Sequence, residues 1–111
     1  MAYVLVDDHL YTHRKIRAAW TAAGLSPLGL HLVAFSYCAD QLTDGHIDKP
    51  FVTQWLPSQR TRDRVVGALE EAVLWEPNGN GWQIHDWSDR NPSRAQVEAR
   101  RAADRGRKRG G

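Results

Sequence analysis

A turn rich in asparagine and glycine limits the fold of this chain more than any other segment. Pro77–Gly81 lies between Val73–Glu76 and Trp82–Trp87, two segments of aromatic and aliphatic residues that favour strands. An Asn-Gly pair in this setting is a strong short-range signal for a β-hairpin. On the second strand the side chains alternate between two faces, Trp82, Ile84 and Asp86 on one and Gln83, His85 and Trp87 on the other. The sequence therefore predicts an antiparallel hairpin.

Two helices are predicted just before the hairpin. Asp48 is placed to cap a short helix, Lys49–Leu56, which Pro57 ends. Ser58 is placed to cap a longer helix that begins near Arg60. On a helical wheel this helix separates an apolar side from a polar side, the first with Val65, Val66, Ala68, Leu69, Ala72 and Val73, the second with Arg60, Asp63, Arg64 and Gly67. A short helix, a tight turn and a longer amphipathic helix predict a helix-turn-helix.

Two further helices and a short strand are predicted upstream. Thr12 is the expected cap of a first helix that runs to Ala23, with Gly24 just past its end. Its apolar stripe consists of Ile16, Ala19, Trp20 and Ala23. Ser26-Pro27 starts a second helix, Leu28–Leu42, which is apolar on nearly all sides and is therefore expected to be central and buried. His46–Asp48 is long enough for one strand. This order predicts an α+β fold, a winged helix-turn-helix with a small antiparallel β-hairpin wing.

Charge divides the chain into two parts. Residues 1–89 hold seven Lys and Arg against eleven Asp and Glu, a net charge of −4. Residues 90–111 hold eight against two, a net charge of +6. We therefore expect a winged-helix domain with an extra N-terminal helix over 1–89, and a basic helical or disordered tail over 90–111. A basic tail on an acidic body indicates contact with nucleic acid, although a solvated tail that aids solubility has the same composition.

The tail itself contains one helix signal. Ser93 and Gln96 fit a capping box for a helix from about Arg94. The final residues, 106–111, have no apolar side chain, so this end is expected to be disordered without a partner.

Composition and motifs argue against several classes of function. No apolar run reaches the roughly 20 residues that a membrane-spanning helix needs, and residues 1–8 do not resemble a secretory signal. The single cysteine, Cys38, indicates a reducing cytoplasm.

Catalysis, metal binding and cofactor binding are not expected. The chain has no phosphate-binding glycine loop, no paired-carboxylate signature and no nucleophile elbow. His9 and His13 lack a third metal ligand, and His85 and Asp86 should point to opposite faces of a strand. His31 and Cys38 are expected to be an inert core pair. We therefore expect a non-enzymatic protein without cofactor or metal.

The second helix of the helix-turn-helix is the candidate recognition helix, because such helices enter the major groove of double-stranded DNA with their N-terminal residues. We expect DNA contacts from this helix, from the hairpin turn and from the tail. The positions are Ser58, Gln59, Arg60, Thr61, Arg62, Asp63, Arg64, Gly67, Asn78, Asn80, Arg94, Arg100, Arg101, Arg105, Arg107, Lys108 and Arg109. Because residues 1–89 are acidic, the tail should supply much of the attraction to phosphate.

Distinctive short segments extend from about His9 to Arg101. They are Ser26–Leu30, Tyr37–Asp40, Leu42–Ile47, Leu74–Glu76, Gly81–Trp87 and Asn91–Arg94. Together they resemble the N-terminal domain of phage replisome organisers and helix-turn-helix proteins of actinobacterial phages and prophages. The resemblance implies a winged helix that recognises origin DNA or assembles replication proteins, with Ser58–Arg64 and Asn78–Gly81 facing DNA.

Replisome organisers usually continue into a C-terminal domain that recruits helicase-loading machinery. This sequence stops at Gly111, which favours a stand-alone DNA-binding module in replication initiation or transcription regulation. The alternative is a protein-interaction module without DNA readout, either a homodimer formed through the first helix or a binder of a host or replication protein.

Overall fold

The computed structural model of the chain describes residues 9–91 and 93–110, and of residues 89, 90 and 107–110 it describes the backbone alone. A single 3-10 turn, Leu10–Thr12, precedes the first helix. The helices are α1 (Arg14–Ala23), α2 (Ser26–Gln41), α3 (Lys49–Trp55), α4 (Gln59–Glu71), α5 (Trp87–Arg90) and α6 (Arg94–Gly110). The strands are β1 (His46–Asp48), β2 (Trp75–Asn78) and β3 (Gly81–Ile84). None of the helices in this part of the chain combines the length and the hydrophobicity needed to cross a lipid bilayer.

The three strands form one antiparallel sheet with β3 in the middle. Trp82 is the register partner of Ile47 on one side and of Pro77 on the other. Pro77 is tolerated because β2 is an edge strand, where a missing N–H breaks no ladder. The order α2, β1, α3, α4, β2, β3, with α1 in front, confirms the α+β class and is that of a winged helix.

The hairpin turn is tight, and two glycines make it so. Gly79 has φ 59°, a left-handed value that glycine adopts without strain. Gly81 stands against β1, so that a Cβ atom there would lie 1.9 Å from the carbonyl oxygen of Ile47. β2 has the predicted length but lies two residues further along the chain, at Trp75–Asn78, and β3 is two residues shorter than predicted because it ends at Ile84.

Local capping signals are confirmed at three helices. Asp48 Oδ1 accepts the Phe51 N–H at 3.0 Å, and Ser58 Oγ accepts the Thr61 N–H at 3.4 Å. The predicted capping box closes in both directions: the Ser93 N–H donates to Gln96 Oε1 at 2.8 Å and the Gln96 N–H to Ser93 Oγ at 3.1 Å. These side chains satisfy N–H groups that a helix leaves unpaired at its start.

Capping was predicted wrongly at the first two helices. His13, not Thr12, caps α1, because its Nδ1 accepts the Lys15 N–H at 3.2 Å. The Thr12 hydroxyl donates instead to the carbonyl oxygen of His9 in the preceding turn. At α2 the helical backbone already includes Leu25, so Ser26 lies inside the helix and makes no side-chain cap.

The core lies between the helices and the inner face of the sheet. It is built from aliphatic residues of α1, α2, α3 and α4 around Trp75, which is 1% exposed. The Trp75 indole N–H donates to His31 Nδ1 at 2.9 Å, so the buried ring has its polar atom paired. This hydrogen bond joins β2 to α2 across the core.

Two expectations about burial, and one about the second strand of the hairpin, are wrong. Trp20 is 45% exposed, with the Arg17 guanidinium over its ring, because the buried part of α1 is narrower than the predicted stripe. α2 is open along one flank, where Leu32 is 59% exposed. Trp87 does not belong to the strand: Asp86 has φ 57°, which turns the chain into α5 and places Trp87 in the core beside Phe35.

The tail forms a regular helix. The Arg94 N–H donates to Asp44 Oδ1 at 2.6 Å, which joins the first turn of α6 to the loop before β1. Helical backbone continues from there to Gly110, whereas the sequence led us to expect a disordered end.

Candidate nucleic-acid interface

The first two turns of α4 present an exposed, polar surface. Gln59, Arg60, Asp63 and Arg64 are all exposed, while Val65, Val66 and Leu69 hold the other side of the helix in the core. No acidic residue lies in the first turn. The positive end of the helix dipole and Arg60 therefore act together, which favours an anion at this end of the helix.

Arg62 and Thr61 have different surroundings from their exposed neighbours. Both are half-buried. Arg62 Nη1 donates to the carbonyl oxygens of Leu56, at 2.8 Å, and of Pro57, at 2.6 Å. This guanidinium thus satisfies backbone groups at the end of α3 and fixes the turn between the two helices. Of the three arginines predicted at this helix, only Arg60 and Arg64 present exposed side chains.

A groove of about 480 Å³ runs beside α4, between α3 and the hairpin. Lys49 and Thr53 line it from α3, and Asp63, Gly67 and Glu70 line it from α4. A Cβ atom added at Gly67 would meet nothing within 4 Å, so the glycine leaves open space on this helix surface. Lys49 was not among the predicted site residues, since nothing in the local sequence separates it from an ordinary surface lysine.

The groove has an acidic end that sequence reasoning also missed. Glu70 Oε1 accepts the indole N–H of Trp82 at 2.8 Å, which joins the end of α4 to the middle of β3. The next residue, Glu71, is exposed. Because these carboxylates would repel phosphate, the surface of α4 that suits DNA is confined to its N-terminal half.

The hairpin turn carries two asparagines and no cation. Asn80 Oδ1 lies 3.2 Å from His46 Nε2, and the Asn80 carbonyl accepts the Lys49 N–H at 3.3 Å. Asn80 therefore helps to fix the turn against β1 and α3. Asn78 is exposed at the end of β2.

Four arginines of α6, Arg94, Arg100, Arg101 and Arg105, are exposed on a helix with few packing contacts. Arg94 pairs with Glu98, Nε to Oε1 at 2.9 Å, and this hydrogen bond raises the pKa of the guanidinium above its ordinary value. Arg101 and Arg105, seven and eleven residues further on, lie on the same side of the helix as Arg94. Arg100 lies on another side. The side chains of Arg107, Lys108 and Arg109 lie outside the described residues.

The contacts of His85 with neighbouring carboxylates differ from expectation. His85 contacts carboxylates on both ring nitrogens, Glu76 through Nδ1 and Asp86 through Nε2, the latter at 3.1 Å. The prediction that His85 and Asp86 point to opposite faces is wrong, because β3 ends at Ile84 and alternation does not extend to them. Within the described residues, no three His, Cys, Asp or Glu side chains form a group that could hold a metal ion.

His31 and Cys38 have different surroundings: His31 is half-buried beside the core, and Cys38 lies within it. His31 accepts the Trp75 indole, whereas the Cys38 thiol donates to the carbonyl oxygen of His46 at 3.6 Å. Burial lowers the pKa of His31 to about 4 and raises the pKa of Cys38 to about 11. At neutral pH both side chains are uncharged, so neither supplies a thiolate or an imidazolium.

Comparison with known proteins finds no match to a protein-family model, to a curated protein or to a solved structure. The resemblance to phage replisome organisers therefore stays a prediction. The geometry of the site itself provides an electropositive start of α4 and, apart from it, a basic helix α6.

Proposed function

We propose that this chain binds double-stranded DNA by placing the first two turns of α4 in the major groove. The observation that carries the proposal is the exposed set Gln59, Arg60, Asp63 and Arg64 on the second helix of a helix-turn-helix, whose first turn has no acidic residue. Helices in this position reach base edges with their N-terminal residues.

These four side chains have the chemistry that base reading requires. Arginine donates two hydrogen bonds to the O6 and N7 atoms of guanine, and glutamine pairs in a similar way with adenine. A carboxylate such as Asp63 accepts from the N4 amino group of cytosine. Arg62 serves the turn between α3 and α4, so it supports the reading helix and is not itself proposed as a base contact.

The basic helix α6 supports the proposal through its charge. Residues 1–89 have a net charge of −4, so the helix-turn-helix alone has little general attraction for phosphate. Arg100, Arg101 and Arg105 are exposed and available to displace counterions from DNA. We infer a division of roles, with α4 reading sequence and α6 supplying affinity.

The biological setting is proposed from the resemblance stated above. A cytoplasmic DNA-binding module of phage type, acting in replication initiation or in transcription regulation, agrees with the winged-helix arrangement. An enzymatic role is not proposed.

The test is a mobility-shift titration with random duplex DNA at low salt. Arg60→Ala/Arg64→Ala should weaken binding at least about tenfold, because each lost phosphate or base contact is worth 1 kcal/mol or more. The matched control is Arg14→Ala/Arg17→Ala, which removes the same charge from exposed positions of α1. Equal losses in the two double variants would show that α4 has no special role. No shift of the intact chain at micromolar concentration would favour the protein-interaction alternative.

A further inference from the structure

Helix α2 has a second apolar flank that the core covers only in part. Leu30, Ala34 and Cys38 bury one face. Leu25, Leu28, Leu32 and Phe35 follow another flank with spacings of three, four and three residues. This is the spacing with which two helices interlock side chains along a shared seam. Leu25 and Leu32 are 71% and 59% exposed, whereas Leu28 and Phe35 are half-buried against the core, so the described chain covers the seam only in part.

The seam borders an apolar groove of about 430 Å³. The rest of its lining comes from the 3-10 turn and the start of α1, from the link between α4 and β2, and from the segment between the end of β3 and Asn91. Charged side chains of both signs also line it, Lys15 and Asp86 among them. No residue of α3 or α4 contributes, so an occupant of this groove would leave the proposed DNA-reading residues accessible.

Val73 gives an independent sign that the groove is a contact surface. The Val73 N–H donates to the Glu70 carbonyl at 3.0 Å and the Leu74 N–H to the Leu69 carbonyl at 3.0 Å, which is the Schellman pattern that ends α4. Glycine is the usual residue at this position, because φ is positive there. Val73 has φ 58°, a rare and strained value for a β-branched residue.

Within the described residues, the strained Val73 does not contribute its side chain to the buried core. Its side chain is 46% exposed and lies in the lining of the groove. An apolar partner that contacts the Val73 methyl groups would account for a β-branched residue at a position where glycine is relaxed.

We propose that the α2 flank is a homodimer interface in which α2 packs against α2 of a second copy. A seam of this spacing is completed by another helix with the same seam, and a two-fold axis supplies one. The surface is also complementary to itself in shape, because Leu25 and Leu32 protrude beside the groove that could receive them from a second copy. Lys15 and Asp86 give the same surface both charge signs, as a self-complementary interface requires. This proposal does not depend on DNA binding.

Sedimentation velocity over a range of protein concentrations tests the interface with the full chain. The chain should form a reversible dimer at micromolar concentration, and Leu32→Glu should be a folded monomer, because it places a charge in the seam at a position that is exposed in the single chain. The matched control is Trp55→Glu, which alters an equally exposed apolar side chain on α3, outside the groove. A chain that remains monomeric up to hundreds of micromolar would overturn the proposal. So would a folded Leu32→Glu variant that dimerises as well as Trp55→Glu.

Val73→Gly separates folding from association and covers the case in which Leu32→Glu fails to fold. Relief of the positive φ should raise the melting temperature of the monomer, measured at a concentration below the dimer dissociation constant. Loss of the valine methyl groups should weaken the dimer at least about tenfold. An unchanged dissociation constant in this variant would contradict a role for the groove.

Discussion

His31 lies where β2 meets α2, with its Nδ1 atom committed to the indole N–H of Trp75. The ring packs edge-on against Phe35, with centroids 4.7 Å apart. An imidazolium carries hydrogen on both nitrogens, so protonation would turn the acceptor Nδ1 into a second donor facing the Trp75 N–H. Burial and this hydrogen bond both favour the neutral ring.

We therefore expect the stability of the fold to fall in mild acid. The pKa of His31 is about 4 in the folded chain and near 6.5 in an unfolded one. The neutral ring contributes fully to the free energy of unfolding above pH 6.5. This contribution is lost as the pH falls from 6.5 towards 4, because the unfolded chain then binds a proton that the folded chain excludes. The loss is at most about 3 kcal/mol. Urea unfolding at several pH values measures it.

His31→Gln provides the control for this pH dependence. A glutamine carbonyl can accept the Trp75 N–H and does not titrate in this range. The variant should be less stable at neutral pH, since the aromatic contact is lost, but its free energy of unfolding should decline less between pH 6.5 and 4. An equal decline in both proteins would assign the effect to other groups.

At the scale of elements, the sheet depends on one close approach between strands. Gly81 pairs with Asp48 on β1 and with Asn78 on β2, and it has no room for a side chain. The nearest atoms to an added Cβ are backbone atoms of Ile47 and Asp48, which cannot move aside without separating β1 from β3.

Gly81→Ala should therefore lower the free energy of unfolding by at least about 2 kcal/mol, within the range seen when packing is overfilled. Gly67→Ala is the matched comparison, because its added Cβ meets nothing within 4 Å on a helix surface. That change should raise stability by up to about 1 kcal/mol, the usual gain over glycine inside a helix. Urea unfolding of both variants checks the pair. Similar effects of the two substitutions would contradict the close packing at Gly81.

Much of the secondary structure could be predicted because its signals are local. The caps at Asp48, Ser58 and Ser93 need only a side-chain oxygen a few residues from the N–H groups that it satisfies. Whether a helix face is covered depends on distant segments, so the exposure of Trp20 could not be read from its spacing. The position of Trp87 depends on the left-handed turn at Asp86, which alternation along a strand does not reveal.

The candidate site was predictable to a similar degree. The amphipathic pattern of α4 identified Arg60 and Arg64 as outward residues, and both are exposed. The same pattern could not show that Arg62 binds carbonyl oxygens across the turn, since this needs the position of α3. The contact of Glu70 with Trp82 likewise joins residues twelve apart through the tertiary structure.

At the scale of the whole molecule, the change of net charge along the sequence coincides with the start of α6. The acidic body forms the winged helix, and α6 leaves it as a basic helix of 17 residues, which is roughly 25 Å long. If α6 supplies the affinity for DNA, salt should weaken binding mainly through this helix.

Deletion of residues 100–111 should therefore weaken DNA binding and flatten its dependence on salt. Six Lys and Arg are removed, so the slope of log K against log salt should become shallower by up to about 5. Arg100→Gln/Arg101→Gln/Arg105→Gln is the comparison that keeps a chain of full length, and it should give up to half of this change. Circular dichroism shows whether the shortened chain keeps its fold. An unchanged slope in the truncated chain would exclude the tail as the source of affinity.

The hydrogen bond from the Arg94 N–H to Asp44 joins the start of this basic helix to the body, and that has a consequence for the speed of binding. Long-range attraction acts before any base is read, so the helix should govern how fast the chain meets DNA. Residues of α4 should govern how long the chain stays on a preferred site. Substitutions in α6 and α4 should then separate in stopped-flow kinetics, with the first group changing association rates and the second changing residence times.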